Sequence, residues 1–292
     1  MLSSGGIALI TFGAAIVNGA LGYGFSSITV PLALFLVSNR VLNPALVGIE
    51  VALNAYVLWV NRASLGAVRR RLTPVVVGLL PGVVVGTLVV ARISPAWVKF
   101  ATYAALLPVI LLQASGFRRP IRSERGAGPV FGLGLGALYS VTTISGPPLA
   151  VALNNQGFSK QEFRAAVGFV RLAESTMTAG AYLAAGLFSD DSLALLPSIV
   201  PSVAIGVPLG ALAIRHLPAE AFRRICMSFD AWVVGFGLSM LLRELRFVDG
   251  AAAFALFAIV VGIDLWLLYR YFRRPVVRSN DWMSSAGNAS SR

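Results

Sequence analysis

The chain has little with which to build a disulfide, a metal centre or a soluble surface. Its 292 residues include one cysteine, Cys226, and one histidine, His216. An intrachain disulfide and a cysteine metal cluster are therefore excluded, and no metal site is predicted. Charged residues make up only 12% of the chain, about half of the roughly 25% found in soluble domains. No HExxH, phosphate-loop or nucleophile-elbow motif is present, so the sequence predicts neither an enzyme nor a cofactor.

Apolar residues take the place of charged ones. They make up 57% of the chain, and the mean hydropathy is +0.79. Most of the apolar runs approach the roughly 20 residues that a helix needs to cross a bilayer. They lie at 5–38, 44–60, 73–91, 95–113, 127–154, 161–185, 193–214, 221–242 and 250–270. The sequence therefore predicts an all-α polytopic membrane protein whose main partner is the lipid bilayer.

The charge that is present is mostly positive. Basic residues outnumber acidic ones by 24 to 12, which gives a formal net charge of +12. Such a charge can attract nucleic acid, but nearly all the basic residues lie in short stretches between apolar runs. That placement is typical of the loops that orient membrane proteins. Binding of nucleic acid is therefore not predicted.

One segment of unusual composition occurs twice, about 117 residues apart. Asn18–Ala33 and Gly134–Ala150 are both dense in glycine, Ser/Thr hydroxyls and one tyrosine, and both end on Pro-Leu-Ala. They lie in the two longest apolar runs, of 34 and 28 residues. A straight helix of the longer run would measure about 51 Å, against a bilayer core of about 30 Å. Each run is predicted to form two half-length helices, joined either at an unwound point or at the tip of a re-entrant hairpin.

The repeat extends beyond these segments and divides the chain. Pro81 and Gly86 recur as Pro201 and Gly206, 120 residues later in both cases. The predicted parts are a first repeat (1–116), a cytoplasmic linker (117–125), a second repeat (126–246), an extra transmembrane helix (247–272) and a disordered cytoplasmic tail (273–292). Asp264 lies in the extra helix, which has no counterpart in the repeat, so a structural role is predicted for it.

The arginines and lysines discriminate between the two models of the broken runs. With two hairpins, 18 basic residues lie on one side of the membrane and five on the other, whereas two full spans give 13 and 10. The positive-inside rule favours hairpins, with the C-terminus cytoplasmic and the N-terminus outside. Each repeat then has a hairpin plus three crossings. Because that number of crossings is odd, the halves are predicted to be inverted repeats. The predicted location is a bacterial inner membrane.

The two predicted breaks contain the residues best suited to bind a ligand. A break exposes the N-terminal amides of the half-helix that follows it, and these carry partial positive charge. The candidate ligand-binding residues there are Tyr23, Gly24, Ser26, Ser27, Tyr139, Thr142, Thr143, Ser145 and Gly146. Together they indicate a site for a small oxyanion. The alternative is that these small residues serve only close helix packing.

Charged residues within the apolar runs are the second group of candidates. Arg171 and Glu174 lie in 161–185, and Glu50 lies in the equivalent run 44–60. An ionisable group at mid-membrane costs at least about 2.5–3.5 kcal/mol and usually faces a cavity or a partner. Arg171 is therefore a candidate anion ligand, and Glu50 and Glu174 are candidates for proton coupling. The alternative is a structural salt bridge of Arg171 with either glutamate.

The chain resembles the TauE/SafE sulfite exporter-like family. The likeness covers nearly the whole chain and rests on Gly19–Pro31, on Gly134–Pro148 and on the Gly/Pro-rich segments Pro81–Gly86 and Pro201–Gly206. The resemblance implies a membrane transporter that exports sulfite or small organosulfonates, with the two Gly-rich motifs as matching segments. Many relatives have a run of glycines where this chain has Gly22–Ser27, which implies a differently shaped pocket here.

The favoured hypothesis is a proton- or gradient-linked secondary transporter that moves a small sulfur oxyanion outward. An anion-selective channel, a transporter of another small carboxylate or oxyanion, and a membrane scaffold without transport are the alternatives. The predicted partners are the small anion and the bilayer, and pairing with a second copy of the chain is left open.

Overall fold

The computed structural model describes residues 2–115, 124–154, 156, 158–213 and 219–273. Within these residues the chain is α-helical and contains no strand, which confirms the predicted all-α class of membrane protein. Residues 117–123 of the predicted linker and 274–292 of the predicted tail lie outside the described residues.

The described residues form α-helices that follow the predicted apolar runs closely. Two 3-10 turns, Arg62–Ser64 and Gly250–Phe254, connect some of them. The α-helices are α1 (Leu2–Leu21), α2 (Phe25–Ala33), α3 (Asn39–Val60), α4 (Leu65–Arg92), α5 (Pro95–Ala114), α6 (Glu124–Thr142), α7 (Gly146–Asn154), α8 (Lys160–Ala184), α9 (Asp190–Leu193), α10 (Leu196–Ala213), α11 (Ala219–Glu244) and α12 (Ala255–Arg273).

Both repeated segments are broken, as predicted. α1 ends at Leu21 and α2 begins at Phe25, while α6 ends at Thr142 and α7 begins at Gly146. The prediction of two half-length helices at each break is wrong, because the arms are unequal. The first arms contain 20 and 19 residues, and the second arms contain nine each. At 1.5 Å per residue the first arms are about 30 Å long, the thickness of a bilayer core.

Each broken segment folds back on itself. A methyl group built on Gly6, near the start of α1, would lie 3.1 Å from Cδ1 of Leu36, which follows α2. The second segment and α4 together line a cavity of about 50 Å³, and this lining includes both Ala127 near the start of α6 and Gln156 beyond α7. In both segments the chain therefore enters and leaves at the same end. We call α1 and α2 the first hairpin, and α6 and α7 the second hairpin.

The two halves of the chain pack against each other reciprocally. The first arm of the first hairpin, α1, packs against α10, and the first arm of the second hairpin, α6, packs against α4. α3 packs against α8 and α5 against α11, so helices at equivalent positions in the halves also pair. These pairings are the ones that a two-fold relation between the halves would produce. The inverted orientation of the halves stays a prediction.

Glycines bring the first arms close to their neighbours. Gly136 on α6 faces the backbone carbonyl of Leu79 on α4, and Gly19 on α1 faces the backbone carbonyl of Val207 on α10. A methyl group at either glycine would overlap the facing carbonyl oxygen. Such small residues let membrane helices approach to backbone contact. Packing, the alternative function of the repeated segments, is therefore the function of these two glycines.

Buried apolar residues form one large core around each hairpin. The first core joins α1 and α2 to α3, α5 and α11, and the second joins α6 and α7 to α4 and α8. Each core also contains a residue from the break of the other hairpin: Ile144 belongs to the first core and Tyr23 to the second. The two breaks are therefore brought together where the cores meet.

Four helical stretches of the described chain are long and apolar enough to cross a membrane. They are Asn39–Val60, Arg62–Arg92, Asp190–Ala213 and Gly250–Arg273. Ala96–Leu112 within α5 is a shorter apolar stretch. The crossings proposed for α5, α8 and α11 stay predictions.

Candidate functional site

The second arm of each hairpin begins with a serine that contacts a glutamate. Ser26, in the first turn of α2, donates its hydroxyl hydrogen bond to Glu50 of α3. Ser145, immediately before α7, donates its hydroxyl hydrogen bond to Glu174 of α8. All four side chains are buried. The two breaks thus make the same kind of contact with the long helix that follows each hairpin.

Glu50 also accepts two hydrogen bonds from the second half of the chain. The hydroxyl of Tyr139 donates at 2.6 Å, and Nη2 of Arg171 donates at 2.7 Å. Glu50 and Arg171 form an ion pair in which neither side chain is more than 3% exposed. This pair is one of the two salt bridges given above as the alternative to ligand binding and proton coupling. The other, with Glu174, is not formed, because no cationic nitrogen of the described residues lies within 4 Å of Glu174.

Arg171 has donors that the ion pair does not use. Its Nε and Nη1 are buried, and neither has a hydrogen-bond partner among the described residues. A methyl group built on Gly146 would lie only 2.8 Å from Nη1 of Arg171. The same methyl would be 3.5 Å from Cδ2 of Tyr23 and 3.8 Å from Oγ of Ser27, another buried hydroxyl without a described partner. Arg171, Ser27 and Tyr23 therefore converge on the backbone at the start of α7.

The third ionisable group of the cluster is Glu174. Its side chain is buried, Ser145 donates to Oε2, and Oε1 has no hydrogen-bond partner among the described residues. Glu50 is paired with Arg171, whereas no cationic nitrogen of the described residues contacts Glu174. The cluster therefore contains unpaired donors on Arg171 and an unpaired acceptor on Glu174, both of which are unusual for buried groups.

Thr142 and Thr143 serve the backbone of the second break. The hydroxyl of Thr142 donates to the carbonyl of Leu138 at 2.7 Å and accepts from the amide of Ile144 at 3.0 Å. The hydroxyl of Thr143 donates to the carbonyl of Thr142 at 2.7 Å. At the first break, Gly24 begins α2 in a left-handed conformation with φ of 106°. The structure thus gives these three candidates a place at the breaks, and ligand binding by them stays a prediction.

Sequence reasoning missed three donors that hold the first arms. Backbone carbonyls in the last turns of α1 and α6 accept hydrogen bonds from side chains of the long helices α3 and α8. Two of these donors belong to the opposite half of the chain, and the third belongs to the same half as its acceptor. The donors are Asn43, Arg164 and Tyr182. The repeat offered a signal for two of them, because Asn43 and Arg164 lie near the start of equivalent helices, α3 and α8.

Asp264 of α12 lies apart from this cluster and contacts α11. Ser228 donates to its Oδ1 at 3.1 Å, and the indole of Trp232 donates to its Oδ2 at 2.9 Å. These contacts agree with the predicted structural role, because they attach the extra helix to the body of the protein.

The fold and the buried cluster define a multi-pass membrane protein with a charged site inside its helical bundle. The family model for the sulfite exporter TauE/SafE matches residues 7–238. The chain therefore belongs to the TauE/SafE family, whose members are membrane transporters of the sulfite-exporter type rather than enzymes. The matched range begins within α1 and ends within α11, and it contains both breaks and every candidate site residue. Searches of curated proteins and of solved structures gave no match.

Proposed function

We propose that the chain is a secondary transporter that exports a small sulfur-containing oxyanion, such as sulfite or an organosulfonate, across a bacterial inner membrane. The anion binds beside Gly146, where the two breaks meet. Its ligands are the guanidinium of Arg171, the hydroxyl of Ser27 and the backbone amide of Gly146, since Pro147 and Pro148 have no N–H to donate. Tyr23 forms one wall of the site. Family membership supports the class of substrate, and the geometry supports its negative charge.

The observation that carries this proposal is the unused part of the Arg171 guanidinium. Buried polar groups nearly always have hydrogen-bond partners, yet Nε and Nη1 have none among the described residues. Nε and Nη1 lie on opposite edges of the guanidinium, so an anion beside Gly146 would pair with Nη1 and with the second hydrogen of Nη2. These two donors form a planar fork that suits an oxyanion with two accepting oxygens. Gly146 has no side chain at the position from which such an anion would approach Nη1.

The charges of the cluster support coupling to protons. An anion beside Arg171 would add a negative charge to a cluster that already contains two carboxylates and one guanidinium. Glu50 is neutralised by its ion pair, whereas Glu174 has only the hydroxyl of Ser145 as a donor. Proton uptake by Glu174 would remove the repulsion between that carboxylate and the anion. Glu174 is therefore the proton-coupling residue, and Glu50 is the anchor of Arg171.

The reciprocal packing of the halves supports a carrier. Carriers with internal repeats commonly bind their substrate where the repeats meet and expose it alternately by moving one repeat against the other. In this chain the ion pair joins α3 of one half to α8 of the other. Movement of the halves relative to each other would open the anion site first to the cytoplasm and then to the outside.

Binding of anions to the purified protein tests the site. We expect sulfite or a sulfonate such as sulfoacetate or taurine to raise the melting temperature of the wild type. Arg171→Lys keeps the positive charge beside Glu50 but loses the fork, so affinity should fall about tenfold or more. Arg224→Lys is the matched control, since Arg224 is also buried but packs over the ring of Tyr271. Equal affinity losses in both variants would contradict the proposed site.

Flux measurements separate the carrier from the channel alternative. In proteoliposomes, a carrier should show saturable sulfite flux, and sulfite inside should accelerate uptake of labelled sulfite from outside. A channel would show neither saturation in this range nor counterflow. Sulfate and a small carboxylate should be included as competing anions, because competition only by carboxylates would overturn the sulfur-oxyanion assignment.

A further inference from the structure

The first arm of each hairpin ends in carbonyl groups that a side chain from the other half contacts. Nη2 of Arg164, on α8, donates to the carbonyl of Ala20 on α1 at 3.3 Å. Nδ2 of Asn43, on α3, donates to the carbonyl of Val141 on α6 at 2.8 Å. Carbonyls in the last turn of a helix have no partner within the helix. The two side chains therefore donate hydrogen bonds to carbonyls that the breaks leave without a helical partner.

The two contacts are equivalent under the repeat. Arg164 follows Asn43 by 121 residues, and Val141 follows Ala20 by the same number. The central ion pair has the same separation, because Arg171 follows Glu50 by 121 residues. The two acceptor carbonyls, the two donor side chains and the two members of the ion pair are therefore each separated by the same 121 residues.

Each long helix carries one donor and, two turns later, one member of the ion pair. Asn43 precedes Glu50 by seven residues on α3, and Arg164 precedes Arg171 by seven residues on α8. Seven residues are close to two helical turns, so donor and ion-pair member share a face about 10.5 Å apart. One rigid helix therefore fixes the distance from the end of the other half's first arm to the ion pair.

A second path connects the first break to the anion site. The ring of Phe163, next to Arg164, packs edge-on against the ring of Tyr23 with centroids 6.3 Å apart. Tyr23 in turn lies beside Gly146. A shift of the α1 end relative to α8 would therefore move Tyr23 against the start of α7.

We propose that Asn43 and Arg164 are reciprocal positioning residues of the transporter. Each holds the end of the first arm in the opposite half at a fixed distance from the ion pair, and so sets the spacing of the two breaks around the anion. This inference rests on the proposed function for its effect on transport. The crossed hydrogen bonds themselves can be tested without substrate.

Hydrogen exchange of the purified, substrate-free protein tests the crossed contacts. Arg164→Met removes the donor but keeps an apolar stem, and it should speed amide exchange around residues 19–25 and not around 140–146. Asn43→Leu should do the reverse. Arg40→Met is the matched control, because Arg40 donates to the carbonyls of Ala91 and Ile93 at the end of α4, away from both breaks. The proposal would be overturned if either substitution sped amide exchange at the break of its own half instead of the opposite one. It would also be overturned if Arg40→Met sped exchange at the breaks to the same extent.

Transport kinetics test the positioning role. Arg164→Met should raise the KM for sulfite in proteoliposomes about tenfold, as expected for loss of a hydrogen bond from a charged donor. Arg164→Lys should have a KM closer to that of the wild type, since an ammonium can still donate to the Ala20 carbonyl. A purely structural residue would lower the yield of folded protein with KM unchanged, and that result would contradict positioning. If the wild type moved no sulfite while the crossed exchange pattern held, the proposed function would fail and the contacts would stand.

Discussion

The first and second hairpins share their geometry along the first arms and differ at their breaks. Both first arms place a glycine against a neighbouring backbone carbonyl, and both second arms begin beside a serine that donates to a glutamate. At the first break, that glutamate is Glu50, which accepts from three side chains including Arg171. At the second, Ser145 is the one donor to Glu174 among the described residues. The two breaks thus contact a glutamate that is held by an ion pair in one case and a glutamate without a contacting cation in the other.

The turns of the two breaks differ as well. Gly22 and Gly24 take positive φ values of 83° and 106° at the first break, where glycine has no steric penalty. The second break has Thr143 at φ 57°, a conformation that a β-branched residue rarely adopts. Such residues cost about 1–3 kcal/mol and are found where the surrounding structure holds them in place. The second break is therefore the more constrained of the two, and Gly146, beside which the anion is proposed to bind, follows it directly.

The largest difference between the hairpins is expected from neutralising the two glutamates. Glu50→Gln leaves the Arg171 guanidinium buried without its counter-ion, which should cost about 3–5 kcal/mol of stability. Glu174→Gln removes no ion pair, so the protein should fold with a melting temperature close to that of the wild type. In proteoliposomes, Glu174→Gln should still bind sulfite, but its flux should no longer respond to an imposed pH gradient.

These two variants control for each other, because both replace a buried carboxylate by an amide of the same shape. Melting temperatures in detergent and sulfite flux with and without a pH step are the measurements. Equal destabilisation by both substitutions would mean that the two breaks are electrostatically alike. Intact pH response in Glu174→Gln would remove the coupling role from Glu174.

The shared packing of the first arms is the basis of a smaller effect. Gly136→Ala would place a methyl group against the carbonyl of Leu79 on α4, and the helices must separate to admit it. Overpacking of this kind costs about 1–3 kcal/mol. Gly134→Ala, two residues earlier on α6, meets no atom within 4 Å and should leave stability unchanged or slightly raised. Thermal unfolding of the two variants measures the difference, and similar melting temperatures would show that α6 and α4 are not in backbone contact.

The sequence predicts in which segments the two hairpins are broken, but it does not predict the lengths of their arms. The segments that contain the breaks were predicted from composition. The pairing of Glu50 with Arg171 was the alternative to its predicted role in proton coupling, and both were argued from the cost of buried charge. The length of the first arms was not predicted, because the excess length of a run shows that it must be broken but not where along the run the break lies. Gly19 and Gly136 remain helical, since they are the points at which α1 and α6 approach other helices.

The donors that hold the breaks were also outside the reach of local reasoning. Asn43 and Arg164 lie near helix starts, where polar residues are common, and only the folded contacts show that each reaches across to the other half. Thr142 and Thr143 were predicted as ligand donors because of their hydroxyls. In the structure their hydroxyls bond to backbone groups that the break exposes, a use that composition alone does not reveal, and ligand binding by them stays a prediction.

The smallest expected effects distinguish a turn glycine from a ligand-facing one. Gly24→Ala adds a methyl group that contacts only Val17 at 3.5 Å, but it forces a non-glycine residue to φ 106°. This strain should lower stability by about 1–2 kcal/mol and leave the KM for sulfite unchanged.

Gly146→Ala has the opposite expectation. Its methyl group would meet the end of the flexible Arg171 side chain at 2.8 Å, which the fold can accommodate by moving the guanidinium. The melting temperature should then stay near that of the wild type while the KM rises several-fold, because the displaced fork no longer fits the anion. If both substitutions changed melting temperature and KM in the same proportion, the first and second breaks would have the same role, and the assignment of the anion to the start of α7 would be wrong.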